Sequence, residues 1–172
     1  TSLPLIVAEE LDVDVAQVQV EMVGEMAPYS LGGLPMTYGS TSVANSYAPF
    51  RKVGAAARAM LIAAAAERWG VSADAVSTDA GTCLGPDGSA LAYSELVVDA
   101  AAFEVPEDPP LKDEADFRII GVNQERFQDQ SIVDGTAVFG IDATPPNGLY
   151  ASLRHAPTQA GVPVGVDKLS SD

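Results

Sequence analysis

The stretch from Thr41 to Trp69 constrains this chain most. Between Val53 and Ala66, alanines fall on several helical faces together with Val53, Met60, Leu61 and Ile62, so no face is polar enough to be left to water. A helix of this kind must be buried nearly all round, and the rest of the chain has to supply the layers that cover it. Thr41 or Ser42 can cap its start, and Gly70 is placed to close it in a left-handed conformation. Pro49 predicts a kink or a broken first turn.

The covering elements are short. Leu3, Ile6, Val7 and Leu11 recur at helical spacing with Pro4 in the first turn, and Asp12 and Asp14 end that helix. Val18, Val20 and Met22 alternate with Gln17, Gln19 and Glu21, which predicts a half-buried strand. From Gly24 to Gly39 runs an irregular apolar loop that includes Tyr29, Leu31, Leu34, Met36 and Tyr38, and such loops tend to be functional or to cover something. Two strands are expected over Ser77 to Leu84 and Leu91 to Tyr93, joined by the turn Gly85 to Gly88, and Ser94 then caps a helix ending near Phe103.

Pro106 to Pro110 form an acidic, proline-rich linker. Beyond it, Phe117 to Ile120, Thr136 to Ile141 and Leu149 to Leu153 read as strands, with Pro145 to Gly148 as a turn. The expected class is α+β, divided into residues 1–110 and 111–172. The second part is short for a core of its own and is expected to continue in further sequence.

Composition closes off several functions. Nine basic against twenty-four acidic residues give a net charge of -15, which repels nucleic acid and anionic membranes and suits a basic partner subunit. The single cysteine, Cys83, permits no internal disulfide and no thiolate metal centre, and the single histidine, His155, leaves little for a metal cluster or a histidine triad. The longest apolar run, Val53 to Trp69, carries Arg58, Glu67 and Arg68, so no membrane span is expected in this chain. Thr1 is not expected to be the natural start, and any signal peptide would lie upstream.

Individual residues have bland readings. Glu9 and Glu10 point about 100° apart on a helix, so they read as a solvated face and not as an acid/base pair. Cys83 reads as a small buried hydrophobe, His155 as a surface or interface residue, and Trp69 as a helix-end anchor. Arg51, Lys52, Arg58 and Arg68 carry no assignment. Gly39, Ser40, Thr41 and Ser42 stand where the apolar loop meets the long helix, and small hydroxyl residues at a helix amino end suit an anion such as phosphate. A plain cap or Ser/Thr turn explains the same four residues, and spacing alone leaves both readings open.

A longer order of segments bears on that choice. Leu5 to Leu11, Val18-Gln19-Val20, Gly39 to Ser42 and Val53 to Arg58 are followed by Pro109 to Asp113, Phe117 to Gly121 and Val133 to Asp142. This succession resembles the molybdenum hydroxylases, the xanthine oxidase and aldehyde oxidase family, and in detail the isoquinoline-oxidoreductase type of large subunit. The resemblance implies part of a molybdopterin-binding α/β domain followed by the start of an α/β hammerhead-like domain. It implies molybdopterin, as the cytosine dinucleotide, with molybdenum in the complete subunit, and iron–sulfur clusters on a partner subunit. The substrate would be an aldehyde or an N-heterocycle, hydroxylated with oxygen from water.

By the same resemblance Gly39, Ser40, Thr41 and Ser42 wrap the pterin, and Thr1 follows a Gly-Gln-Gly motif that this chain does not contain. The family's catalytic base is a late glutamate that is also outside it, so no catalytic residue is assigned and the chain alone is expected to be inactive. Met36, Thr37 and Tyr38 stand where a second glycine pair is usual, and Gln128 to Ile132 lack a customary lysine. A periplasmic or a cytoplasmic setting is compatible with the resemblance. The alternative from another class is a non-catalytic binding or structural module whose Gly-Ser-Thr-Ser turn is only a cap.

Overall fold

A computed structural model describes residues 1–21, 39–153, 155–162 and 164–165. The chain divides into two compact units, Thr1–Asp129 and Gln130–Asp172. The first holds α1 (Ser2–Leu11), α2 (Ser42–Trp69), the strands β1 (Ser77–Asp79), β2 (Thr82–Leu84) and β3 (Ala90–Ala92), and α3 (Tyr93–Ala100). The strands form one antiparallel sheet in the order β1-β2-β3, with Thr78 opposite Cys83 and Cys83 opposite Leu91. Helices beside a small antiparallel sheet agree with the α+β class expected from the sequence.

The alanine-rich helix organises this unit. From Gly54 to Ala66 every residue of α2 is buried or half-buried, while Val53 is exposed. Its inner face meets Val76, Cys83, Tyr93, Leu96 and Ala100 in the main core, with Trp69 packed at the edge as a helix-end anchor. Gly70 closes the helix at φ +66, where the Val71 amide donates to the Ala66 carbonyl and the Gly70 amide to that of Glu67. The first turn is not broken: α2 runs through Pro49, which stands on the exposed side. Its missing N–H is tolerated there because water can serve the carbonyl left over.

α1 lies along α2 and ends in the same left-handed manner at Asp12, φ 60, with Val13 donating to Ala8 and Asp12 to Glu9. The two helices approach closely at Gly54, where an added Cβ would come within 2.7 Å of the Val7 carbonyl oxygen and 2.8 Å of the Glu10 Cβ. Leu5 and Ala8 on α1 bury Ile119 in a second, smaller cluster.

Several expected elements take another form. Ser77 to Leu84 is not one strand: Ala80 and Gly81, at φ 45 and φ 80, turn it into the β1–β2 hairpin. The Gly81 amide donates to Asp12 and its carbonyl accepts from the Tyr93 amide, which tie that turn down on both sides. Ser94 lies inside α3 and is not its cap; the Glu95 carboxylate accepts from the Ala92 amide instead, and the helix stops at Ala100. Residues 18–21 form no strand and follow a single 3-10 turn, Val15–Gln17, while Met22 and the loop up to Tyr38 lie outside the described residues.

No strand forms at Phe117 to Ile120, Thr136 to Ile141 or Leu149 to Leu153. Alternating residues make a strand only where a neighbouring strand completes the ladder, and none is paired with these. This region instead contains a short helix α4, Asp129–Val133, and a 3-10 turn, Gly140–Asp142. Ile141, Leu149 and Tyr150 are each at least 95% exposed.

Candidate functional site

Gly39 and Ser40 adopt left-handed backbone conformations, φ +63 and +56, directly ahead of α2. Two such residues in succession swing the chain into the helix and leave Gly39, Ser40 and Thr41 exposed, with Ser42 half-buried. Thr41 is the residue before the helix, and its carbonyl accepts the first helical bond from the Asn45 amide at 2.9 Å. Its hydroxyl does not cap the helix. One turn further on, Ser46 is fully buried, and its hydroxyl has no hydrogen-bond partner among the described residues.

Beside this helix head lies a cleft of about 460 Å³. Thr1, Leu5 and Ile6 of the α1 side, Val43 and Tyr47 of α2, and the segment from Ile119 to Gln128 line it. Thr1 Oγ1 accepts from the Phe127 amide at 3.3 Å, so the start of α1 and the far wall are joined across one edge. Val43 follows Ser42 directly, yet Gly39, Ser40, Thr41 and Ser42 are not among the lining residues. Thr1 and the first turn of α2 are therefore neighbours of one cleft, while the four candidates precede Val43 in sequence and lie outside its lining.

The strongest electrostatic feature is one that sequence reasoning set aside. Glu9 and Glu10 are 1% and 0% exposed, not a solvated face. Glu10 Oε1 accepts from Arg51 Nε at 2.6 Å, its Oε2 from the Lys112 amide at 3.0 Å, and Arg58 Nη2 stands 3.6 Å away. Glu9 Oε1 accepts from Lys112 Nζ at 2.8 Å, and Lys112 also reaches Asp12 at 3.1 Å. Arg51 and Arg58 donate to the carbonyls of Lys112 and Pro110, and the Arg51 guanidinium lies over the Phe117 and Tyr47 rings at 4.9 and 5.5 Å. Arg68 pairs elsewhere, with Asp99 of α3.

Burial pushes the Glu9 carboxyl up, but Lys112 and the amides of Ile119 and Ile120 outweigh it and hold the group below the ordinary range. A carboxylate so held is unsuited to donating a proton near neutral pH. Burial likewise opposes the charge on Arg51, and Glu10 restores and raises it. Cys83 is buried and its thiol is pushed up to about 11 by desolvation alone, which makes it an inert part of the core. His155 is exposed. Among the described residues no three of His, Cys, Asp or Glu gather as metal ligands, and no helix is long and apolar enough to cross a membrane.

No protein-family model matches the chain. It is similar to the beta chain of isoquinoline 1-oxidoreductase from Brevundimonas diminuta, 31% identical across 97% of this chain and 26% of the relative. It is also 31% identical to one subunit of the nicotinate dehydrogenase of Pseudomonas putida, across 91% of this chain and 13% of that protein. A third relative, named membrane-bound aldehyde dehydrogenase [pyrroloquinoline-quinone], from Gluconacetobacter polyoxogenes, is 30% identical across 94% of this chain and 21% of its own length. The chain thus spans about a quarter or less of the length of these relatives.

Proposed function

This chain is a relative of molybdenum-enzyme subunits of the isoquinoline 1-oxidoreductase type, and from that premise we propose that it is part of the cofactor-binding subunit of a molybdenum hydroxylase. The complete enzyme hydroxylates an aldehyde or an N-heteroaromatic ring with oxygen derived from water, and passes the electrons to iron–sulfur clusters on a partner subunit. The observation that carries this reading is a similarity extending over 97% of the chain, not confined to one motif. In this reading residues 1–110 belong to the molybdopterin-binding domain, and residues 111–172 lead into the hammerhead-like domain. The exposed Ile141, Leu149 and Tyr150 are then side chains that the remainder of the subunit covers.

The helix head fits an anionic group. Among the described residues the nearest atom to the place of a Gly39 Cβ is Thr41 Cγ2 at 3.8 Å, an ordinary van der Waals contact. First-turn amides of a helix lack partners within it, and the 28-residue α2 adds its dipole at the same end. Gly39, Ser40, Thr41 and Ser42 would hold the pterin dinucleotide through amides and hydroxyls. When bound, the cofactor supplies the two-electron oxidation of the substrate. This chain's own share is to bind and orient it, with α2 fixed by its buried alanine face and by the pairing of Arg51 with Glu10.

Metal and cofactor content test the reading. The full-length subunit, produced with its partner, is expected to contain molybdenum and to release a pterin dinucleotide on extraction. A well-folded complex free of molybdenum would favour a plain binding or structural module, and a bound quinone in place of a pterin would overturn the cofactor assignment. Joint replacement Ser40→Ala and Ser42→Ala should lower molybdenum occupancy several-fold while changing stability by no more than about 1 kcal/mol.

A further inference from the structure

We propose that the Glu9 carboxylate is a positioning group that shapes residues 118–120 into the wall shared by two clefts, and that protonating it releases this wall while the helices stay packed. The wall has no regular structure to hold it. Residues 117–120 belong to no helix or strand. Their amides instead converge on one oxygen: Glu9 Oε2 accepts from Arg118 at 2.9 Å, Ile119 at 2.6 Å and Ile120 at 2.9 Å. Three successive amides can meet one acceptor only if the backbone curls around it, as in the nests that bind anions. Here the anion is a side chain, supplied by α1 from 109 to 111 residues away in sequence.

The curl decides what faces the clefts. Ile119 lines both the 460 Å³ cleft at the helix heads and a second of about 360 Å³ beside Asp12, Val15 and Ala80. Ile120, Gly121 and Val122 continue the wall of the larger cleft, and Glu9 itself lines the smaller. The position of one carboxylate therefore sets the width of both. This holds whatever ligand the larger cleft takes, so it does not rest on the molybdenum reading.

Charged groups face Glu9 from each element around it, and most are already engaged. On α1 and just after it stand Glu10 and Asp12, on α2 Arg51 and Arg58, on β1 Asp79, and on the segment itself Lys112, Asp116 and Arg118. Arg51 and Arg58 serve Glu10, and the Arg118 guanidinium serves Asp79. Among the described residues the groups that hydrogen-bond Glu9 are Lys112, shared with Asp12, and the three amides, while the Arg118 charge attracts it without a bond. A protonated carboxyl is a weaker acceptor for all of them, so the clasp has no substitute when its charge is lost. The folded pKa of Glu9 lies below its ordinary value. The clasp is therefore complete above the unfolded value and is lost as pH falls through the folded one.

Residue-resolved amide hydrogen exchange on the full chain tests this, with rates normalised for the intrinsic effect of pH. In Glu9→Gln, protection of the amides of 118–120 should fall at least about tenfold, as loss of charge-assisted bonds implies, while α2 between Ala55 and Ala66 keeps its protection. Glu10→Gln, which touches the Lys112 amide and not this wall, should leave 118–120 protected. In the unaltered protein the same three amides should lose protection on acidification before α2 does, and Glu9→Gln should show no such step. Unchanged protection at 118–120 in Glu9→Gln would overturn the proposal. If that variant does not fold, the acid series decides alone: loss at 118–120 ahead of α2 supports the clasp, and simultaneous loss refutes it.

Discussion

Adjacent helical residues diverge by about 100°, and Glu9 and Glu10 use that divergence to reach different partners. Glu10 takes Arg51 from α2, and Glu9 takes Lys112 and three amides from the segment beyond the proline-rich linker. Removing one member of a buried pair leaves the other charged and unsolvated, which typically costs about 3–5 kcal/mol. Arg51→Met is expected to destabilise by that order, since among the described residues the Glu10 carboxylate would keep the Lys112 amide and an Arg58 that stands 3.6 Å away. Adding Glu10→Met should recover part of the loss, and a double-mutant cycle in urea reads the coupling directly. Additive costs would mean that the pair does not interact. None of this was legible in the local sequence, because Glu10 meets Arg51 41 residues on and Glu9 meets Lys112 103 residues on. Cys83 is the opposite case: a lone cysteine with no basic residue near it in sequence already suggested an inert core position, and burial at 0% exposure bears this out.

Elements were legible where the physics is local. The extent of α2 followed from its apolar faces and from Gly70, and its left-handed end needs nothing beyond that glycine. Strands in residues 117–153 failed because a strand exists only with its partner, and alternation says nothing of whether one is present. The β1–β2 hairpin was missed for another reason. Its turn places Ala80 at φ 45, a conformation that residue type does not advertise, and the turn is held by Asp12 and Tyr93 from outside. Of the candidate site, the Gly39 to Ser42 turn was visible as a motif, whereas the cleft beside it depends on residues 119–128 folding back. The α1–α2 contact gives a test with an unambiguous sign. By helix propensity alone Gly54→Ala should stabilise α2 by about 1 kcal/mol. With the Val7 oxygen 2.7 Å from the new Cβ, it should instead destabilise by about 1–3 kcal/mol in thermal or urea unfolding. A stabilised variant would show that the helices have room to part.

At the scale of the whole molecule the two units differ in what holds them. The core residues of the described chain run from Leu5 to Ile119, all within Thr1–Asp129. In the second unit Ile141, Leu149, Tyr150 and Val164 are 95 to 101% exposed, so unfolding it uncovers little apolar surface. Cooperative unfolding reports the surface newly exposed, and its denaturant slope scales with that area. A chain ending at Asp129 should therefore unfold with nearly the same midpoint and slope as the full chain, within about 0.5 kcal/mol in stability. The measurement is a pair of urea titrations followed by the fluorescence of Trp69, which packs against the main core. A clear fall in midpoint on truncation would mean that the second unit stabilises the first, and the separation into a self-sufficient body and an uncovered extension would fail. Equal midpoints would place the need for further burial on residues 130–172 alone. That is the condition expected of a segment whose apolar side chains are completed by the rest of a subunit several times longer.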